Sequence, residues 1–215
     1  RTLLASGIVS SLVYVTTLVV GAWRWEGYSS TSQTVSELFA IGAPSAGLVV
    51  PLFVIYGLLI YAFGIGVWRS AGPTRALRWT AAGLIGKEVL GVVVTLFFPM
   101  HMRGVEGTLT DVMHATLTFV GVLFMLLAIG SAATAFGKGF RWYSIVTILL
   151  LVGGGILAGL DAPRIEANLP TPWAGVTERV NILAYMLWVV VLAIALLRRQ
   201  RLEDTIRLGG TRTSG

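Results

Sequence analysis

The sequence predicts an all-α fold: a polytopic integral membrane bundle of six helices with both termini cytoplasmic. Three observations lead there. The 215 residues are 55% hydrophobic and only 12% charged, with a mean hydropathy of +0.82. A soluble domain carries roughly 25% charged residues, so the charge here cannot cover a water-exposed surface and part of the solvent must be lipid. Six stretches then reach the ~20 apolar residues that a helix needs to cross the hydrocarbon core. Finally, the basic residues gather at one end of those stretches. Strands are excluded because the runs are long, apolar on most faces, and lack the alternation of a lipid-facing barrel strand.

The first span, Leu3–Trp23, ends without a small-residue cleavage site and reads as a retained helix, not a signal peptide. No initiator Met is present, so the numbering is expected to start inside a longer chain. Ser6, Ser10, Tyr14, Thr17 and Gly21 recur in steps of three and four along one face, a pattern that marks helix contact in lipid. In the loop that follows, Thr34-Val-Ser-Glu37 has capping-box spacing, with Thr accepting from the helix backbone and Glu reaching back. Together with the apolar Val35, Leu38 and Phe39, it predicts a short amphipathic helix lying at the outer interface as a lid.

Span 2 is Leu48–Trp68 and span 3 is Trp79–Phe98, with Lys87 and Glu88 near its middle. An intramembrane charge costs at least about 2.5–3.5 kcal/mol on insertion scales and normally faces a partner or water. Adjacent helical residues point about 100° apart, so each charge is expected to find its partner on another helix. The pair then serves either as a packing ion pair or as part of a proton or ion path. Span 4, Val112–Phe136, is preceded by Asp111 and carries His114 and Thr118 on the same polar face. Span 5, Trp142–Leu160, has Gly153, Gly154, Gly155 and Gly159, read as helix packing, and Asp161 at its outer end. Span 6, Val180–Leu197, opens with Glu178, Arg179, Asn181 and Tyr185 on its outer turns, and Trp188 lies deeper. The membrane domain is therefore residues 1–200. Residues 201–215 form a cytoplasmic basic tail, expected to be mostly disordered beyond Leu208.

Charge sets the direction. With the N-terminus inside, the cytoplasmic side collects eleven of the sixteen basic residues, and the outside has four: Arg24, Arg103, Arg164 and Arg179. Seven of the ten acids fall outside. This is the positive-inside pattern, so the net charge of +6 is an orientation signal for the cytoplasmic membrane and gives no support to nucleic-acid binding. Trp68, Trp79 and Trp142 mark the inner end, and Trp23, Trp25 and Trp173 the outer, as aromatic belts do. Cysteine is absent, which excludes disulfides, thiolate metal sites and cysteine nucleophiles.

At the outer end, Glu37, His101, Asp111, His114, Asp161, Glu178, Arg179, Asn181 and Tyr185 can aim at one region, and they form the candidate ligand-binding set. His101, His114 and a carboxylate could hold zinc, but the spacing matches no local zinc motif, and no metal or other cofactor is expected. Haem is excluded because both histidines sit at one end. As a hydrolase, His114 would be the base, Asp111 its orienter and a serine such as Ser36 the nucleophile, with no elbow motif in support. The plainer alternative has Asp111 capping a helix and His114 hydrogen-bonding within the bundle.

The segments "GYSSTSQTVSELFAIGAP", "FFPMH", the histidine of "TLTDVMH" and "ERVNILAYMLW", in that order across nearly the whole chain, resemble the prokaryotic membrane family called domain of unknown function 998. A more distant likeness to Frag1/DRAM-type six-span proteins rests on topology. The resemblance implies a six-helix membrane protein and brings no established chemistry. Where that family often has an acid after Phe-Pro, this chain has His101. The expected role is binding of a membrane lipid, a small molecule or a membrane protein partner through an outward-facing polar pocket. A lipid-modifying hydrolase using Asp111 and His114 stands second, and a small transporter using Lys87 and Glu88 third.

Overall fold

The computed structural model describes the backbone of residues 1–212 and the side chains of residues 1–206. Six α-helices run in order: α1 Thr2–Arg24, α2 Ala46–Ser70, α3 Arg75–Phe97, α4 Leu109–Ala135, α5 Lys138–Glu166 and α6 Ala174–Arg212. All six are long and apolar enough to cross a membrane, and no strand occurs among the described residues. The protein is a multi-pass membrane protein. Each helix packs chiefly on its chain neighbours, and α6 closes the ring against α1. The short turns after α2 and α4 lie at the face where the chain ends meet (the terminal face), and the three longer loops lie at the opposite, loop face.

The terminal half is solid. Leu4, Ile60, Phe63, Val67, Leu77, Ala81, Leu84, Ile129, Ala132, Trp188, Leu192 and Leu196 interdigitate there, all essentially without exposure. Small residues permit close approach: a Cβ on Gly83 would stand 2.8 Å from the Ala128 nitrogen and the Phe124 carbonyl of α4. Serine and threonine hydroxyls in this half return to backbone carbonyls of their own helices, Ser10 to Gly7 and Thr80 to Ala76, while the Tyr143 hydroxyl of α5 is buried without a partner among the described residues. The polar face of α1 is a packing face as expected: Ser10, Thr17 and Gly21 are buried, and Ser6 Oγ also donates to the Leu59 carbonyl of α2 at 3.0 Å.

The loop between α1 and α2 departs from expectation. The capping-box hydrogen bonds exist, with Thr34 N donating to Glu37 Oε2 at 2.7 Å and Glu37 N to Thr34 Oγ1 at 3.3 Å. What they cap is a single 3-10 turn, Ser36–Phe39, not an interfacial amphipathic helix. Val35, Leu38 and Phe39 are buried against Leu18, Val49 and Phe53, so the segment is a plug set into the mouth of the ring. Four residues cannot present one face to lipid and another to water. Burying all three apolar side chains between α1 and α2 is the better use of them.

At its far end α6 continues as helix to Arg212, past the expected start of the tail. Arg199 pairs with Glu203 one turn on at 3.0 Å, and Arg1 pairs with Asp204 at 2.5 Å. Residues 213–215, where disorder was also expected, lie outside the described residues.

Candidate functional site

Two polar assemblies occupy the loop half. The outer one is built on Arg103, which follows the α3 end in the Met100–Gly104 turn, where Gly104 takes φ +74. Its guanidinium grips the buried Glu37 through Nε to Oε1 at 2.5 Å and Nη2 to Oε2 at 3.0 Å. The same group donates to Thr171 Oγ1 and to the Ser32 carbonyl, both at 2.7 Å, so one side chain ties all three outer loops together. Two α6 residues fasten the plug further. Glu178 accepts from Val35 N–H and from Ser36 Oγ. Arg179 donates to the carbonyls of Ser30 and Gln33 and to the Tyr28 hydroxyl. Burial pushes the Tyr28 phenol up, to about 12, against the opposing pull of Arg179, which keeps Tyr28 neutral at ordinary pH. An open cleft of about 410 Å³ lies beside this network, lined by Ser29, Ser32, Gln33, Arg103, Asn168 and Thr171 among others.

The inner assembly lies at mid-span. Lys87 Nζ donates to Glu88 Oε2 at 2.8 Å and to the Tyr56 hydroxyl of α2 at 3.2 Å. The ammonium also lies over the Tyr56 and Tyr185 rings, 5.0 and 5.7 Å from their centroids, a cation–π geometry. The expectation that neighbours on a helix would not pair is corrected here. The four-carbon lysine stem swings its head back across the helix to Glu88, whatever the Cα directions. Although Lys87 lies in the interior between α2 and α6, 17% of its side chain remains exposed. The Tyr185 hydroxyl is buried and has no hydrogen-bond partner among the described residues.

α5 is the least buried of the six spans. Over Val152–Arg164, the loop-side half of α5, almost every residue is exposed, Gly154 and the half-buried Asp161 apart. Gly121 of α4 is buried, yet a Cβ there would find nothing within 4 Å; a Cβ on the exposed Gly153, Gly155 or Gly159 of α5 would also meet nothing. Those three glycines therefore do not serve the packing role expected of them. Only Gly154 does, seated against Asn181 of α6.

The profile of the family described as "Protein of unknown function (DUF998)" matches residues 8–195, which is the whole bundle but for its two ends. The chain belongs to the DUF998 family. No curated protein and no solved structure matches it.

In this DUF998 chain the nominated residues do not converge on one pocket. Asp111 caps α4 through Thr108 and binds His101 twice, from the backbone N at 2.8 Å and from Nδ1 at 2.7 Å. His114 turns away, its Nδ1 2.8 Å from the Phe98 carbonyl and its ring beside Phe39. The expected His114–Asp111 dyad is thus replaced by a His101–Asp111 pair, because the loop after α3 folds back over the first turn of α4. Asp161 stays inside α5, which runs on to Glu166, and its side chain makes no hydrogen bond among the described residues. Glu37, Glu178 and Arg179 hold the plug, Asn181 packs on α5, and Tyr185 belongs to the inner cluster. No group of three potential metal ligands forms among the described residues.

Arg103 carries the outer network, yet in sequence it was only one of four outside cations. The available signal was its place in a short loop between two spans that also holds both Phe-Pro and a turn glycine. Tyr56 was likewise passed over, and Tyr14, whose ring lies 4.8 Å from that of Tyr56, was read only as part of the α1 packing face. Aromatic hydroxyls at the depth of an intramembrane lysine were the signal.

Proposed function

We propose that this DUF998 protein resides in the cytoplasmic membrane with its termini inside, and that it binds a lipid or lipid-like small molecule beside Lys87. The ligand reaches the site from the membrane, between α4 and α5, with the plug as roof. This refines the outward-facing pocket expected from sequence: the outer charges fasten the roof, and the ligand site lies beneath it. The single observation that carries the reading is Lys87, deep in the ring, neutralised by Glu88, and still partly exposed. An intramembrane charge is a functional hypothesis by default, and the exposed outer half of α5 supports a lateral route between α4 and α5. The solid terminal half disfavours a transport path through to the other face.

Native mass spectrometry of protein released from gentle detergent tests the reading. Wild type should retain bound lipid that Gly121→Leu loses; equal retention by both would sink it. Orientation is tested with single cysteines in intact cells. One at Gly72 or Gly137 should resist an impermeant thiol reagent while one at Val105 reacts, and labelling at Gly72 would reverse the orientation.

One observation favours a second, hydrolytic reading. Asp111 fixes His101 Nδ1, and both side chains are partly exposed at the loop face, the arrangement of an oriented general base. Ser36, the nucleophile considered from sequence, is engaged by Glu178. Hydrolysis of a lipid ester by purified protein, lost in His101→Ala, would move this reading ahead.

A further inference from the structure

We infer that the ligand of the mid-membrane site carries a neutral hydroxyl head, of the diacylglycerol class, and that Tyr185 and Lys87 hold that hydroxyl. The inference rests on the binding reading above and adds the chemistry of the occupant.

The argument is one of charge and of hydrogen-bond capacity. Lys87 and Glu88 are 2.8 Å apart and cancel each other, so the site is neutral as it stands. A phosphate or carboxylate head brought to this depth would add a charge without a counter-charge, and burying an unpaired charge is strongly unfavourable. Donor capacity remains, however. An ammonium has three N–H donors, and Glu88 and Tyr56 take two of them. The third has no hydrogen-bond partner among the described residues, and the Tyr185 ring lies nearby, its centroid 5.7 Å from the nitrogen. The Tyr185 hydroxyl is itself unpartnered and 1% exposed. An unmet buried hydroxyl costs stability, and a tyrosine is unusual among apolar neighbours unless its O–H reaches a partner. One alcohol group, which both donates and accepts, satisfies the lysine N–H and the tyrosine O–H together.

The surroundings match the rest of such a molecule. Gly121 of α4 is buried with open space where a Cβ would stand, and the exposed Gly153 and Gly155 of α5 likewise meet nothing within 4 Å. Phe119 of α4 and Ile156, Leu157 and Leu160 of α5 are exposed toward the hydrocarbon. Acyl chains extend there without leaving the bilayer. No second basic side chain lies at this depth on any helix, so the site has nothing further with which to select a phosphate.

The test uses the purified full chain in nanodiscs of phosphatidylcholine. Dioleoylglycerol, dioleoyl phosphatidic acid and dioleoyl phosphatidylglycerol are titrated separately, with binding read by native mass spectrometry. Dioleoylglycerol should bind at least ~10-fold more tightly than either anionic lipid. Tyr185→Phe is the decisive variant. It removes a hydroxyl that no protein group uses, so its thermal stability should equal or exceed wild type, while its diacylglycerol affinity falls ~2–10-fold, the worth of one hydrogen bond. Gly121→Leu, which has room to fold, should abolish binding of every lipid.

The outcomes separate the two levels. Tighter binding of phosphatidic acid, still sensitive to Gly121→Leu, overturns the neutral-head inference and leaves the binding site standing. Lipid binding that none of the variants changes overturns both. Unchanged diacylglycerol affinity in Tyr185→Phe removes Tyr185 from the site and overturns the inference as stated.

Discussion

The two halves of this bundle are held together by different means. In the terminal half, bulky side chains interlock over glycines and alanines, and most serine and threonine hydroxyls turn back to their own helices. In the loop half, three loops are bound by Glu37–Arg103, Glu178 and Arg179, and the outer half of α5 is left largely exposed. The difference follows from the solvent. Lipid tails are as apolar as leucine, so helices in the membrane gain little from burying apolar surface against one another and depend on close packing and on polar contacts. A half built on close packing keeps a continuous core, and its cleft of about 450 Å³ beside Ala76, Trp79 and Gly130 stays at the surface between α3 and α4. A half built on a few charged fasteners can be closed at the roof and open at the side.

The largest effect is expected where a fastener is cut. Arg103→Leu strands the buried Glu37 carboxylate and frees three loops at once. Removing one partner of a buried pair typically costs about 3–5 kcal/mol, so a large drop in thermal stability is expected, along with rapid proteolysis in the loops around residues 27–45 and 98–108. Near-wild-type stability and protection would mean that the loop half is held by something other than its charges.

How much of this could be read in the sequence divides along the same line. The six helices and the packing face of α1 follow from hydropathy and from three- and four-residue spacing, which are local properties. The capping box at Thr34 and Glu37 was legible too, because a cap is a contact over three residues. The Lys87–Glu88 pair was misjudged because Cα directions are local but lysine heads are not. The His101–Asp111 pair and the reach of Arg103 across three loops depend on how separate loops fold over the bundle, and no spacing rule contains that. The α5 glycines show the same limit: three in a row look alike in sequence, and only the neighbouring helix decides which one packs.

A cut in the terminal half should cost less and fail differently. Gly83→Ala places a methyl group 2.8 Å from the α4 backbone, which side-chain adjustment cannot relieve. Overpacking of this kind costs about 1–3 kcal/mol, read as a lower melting temperature with the loops still protease-resistant. Loop cleavage in Gly83→Ala would show that the two halves are one cooperative unit and would break the comparison.

Smaller again is the cap on α4. Asp111→Ala should cost about 1 kcal/mol, the usual worth of an N-terminal capping contact. His114→Ala acts on a separate contact, the Phe98 carbonyl. If the two residues are independent, as their partners imply, the double variant should lose the sum of the single losses to within ~0.5 kcal/mol. A clear departure from additivity would restore the dyad that the structure separates.

The smallest effect is the sharpest test of the proposed lateral route, and it lies within three consecutive residues. Gly153, Gly154 and Gly155 share composition, depth and helix. A Cβ on Gly154 collides with the Asn181 side chain of α6, while a Cβ on Gly153 or Gly155 meets nothing within 4 Å. Alanine is the better helix former, by roughly 0.5–1 kcal/mol over glycine in a helix interior. Gly153→Ala and Gly155→Ala should therefore be neutral or slightly stabilising, whereas Gly154→Ala should destabilise by pushing α5 off α6. Thermal melts of the three single variants in one detergent measure this directly. Equal destabilisation by all three would mean that α5 is packed on every side in the membrane. The α4–α5 seam would then be closed, by a second copy of the chain or by another protein, and the lateral route to Lys87 would be lost. A loss confined to Gly154 is what a helix whose outer half is seated on α6, with its exposed flanks facing lipid, requires.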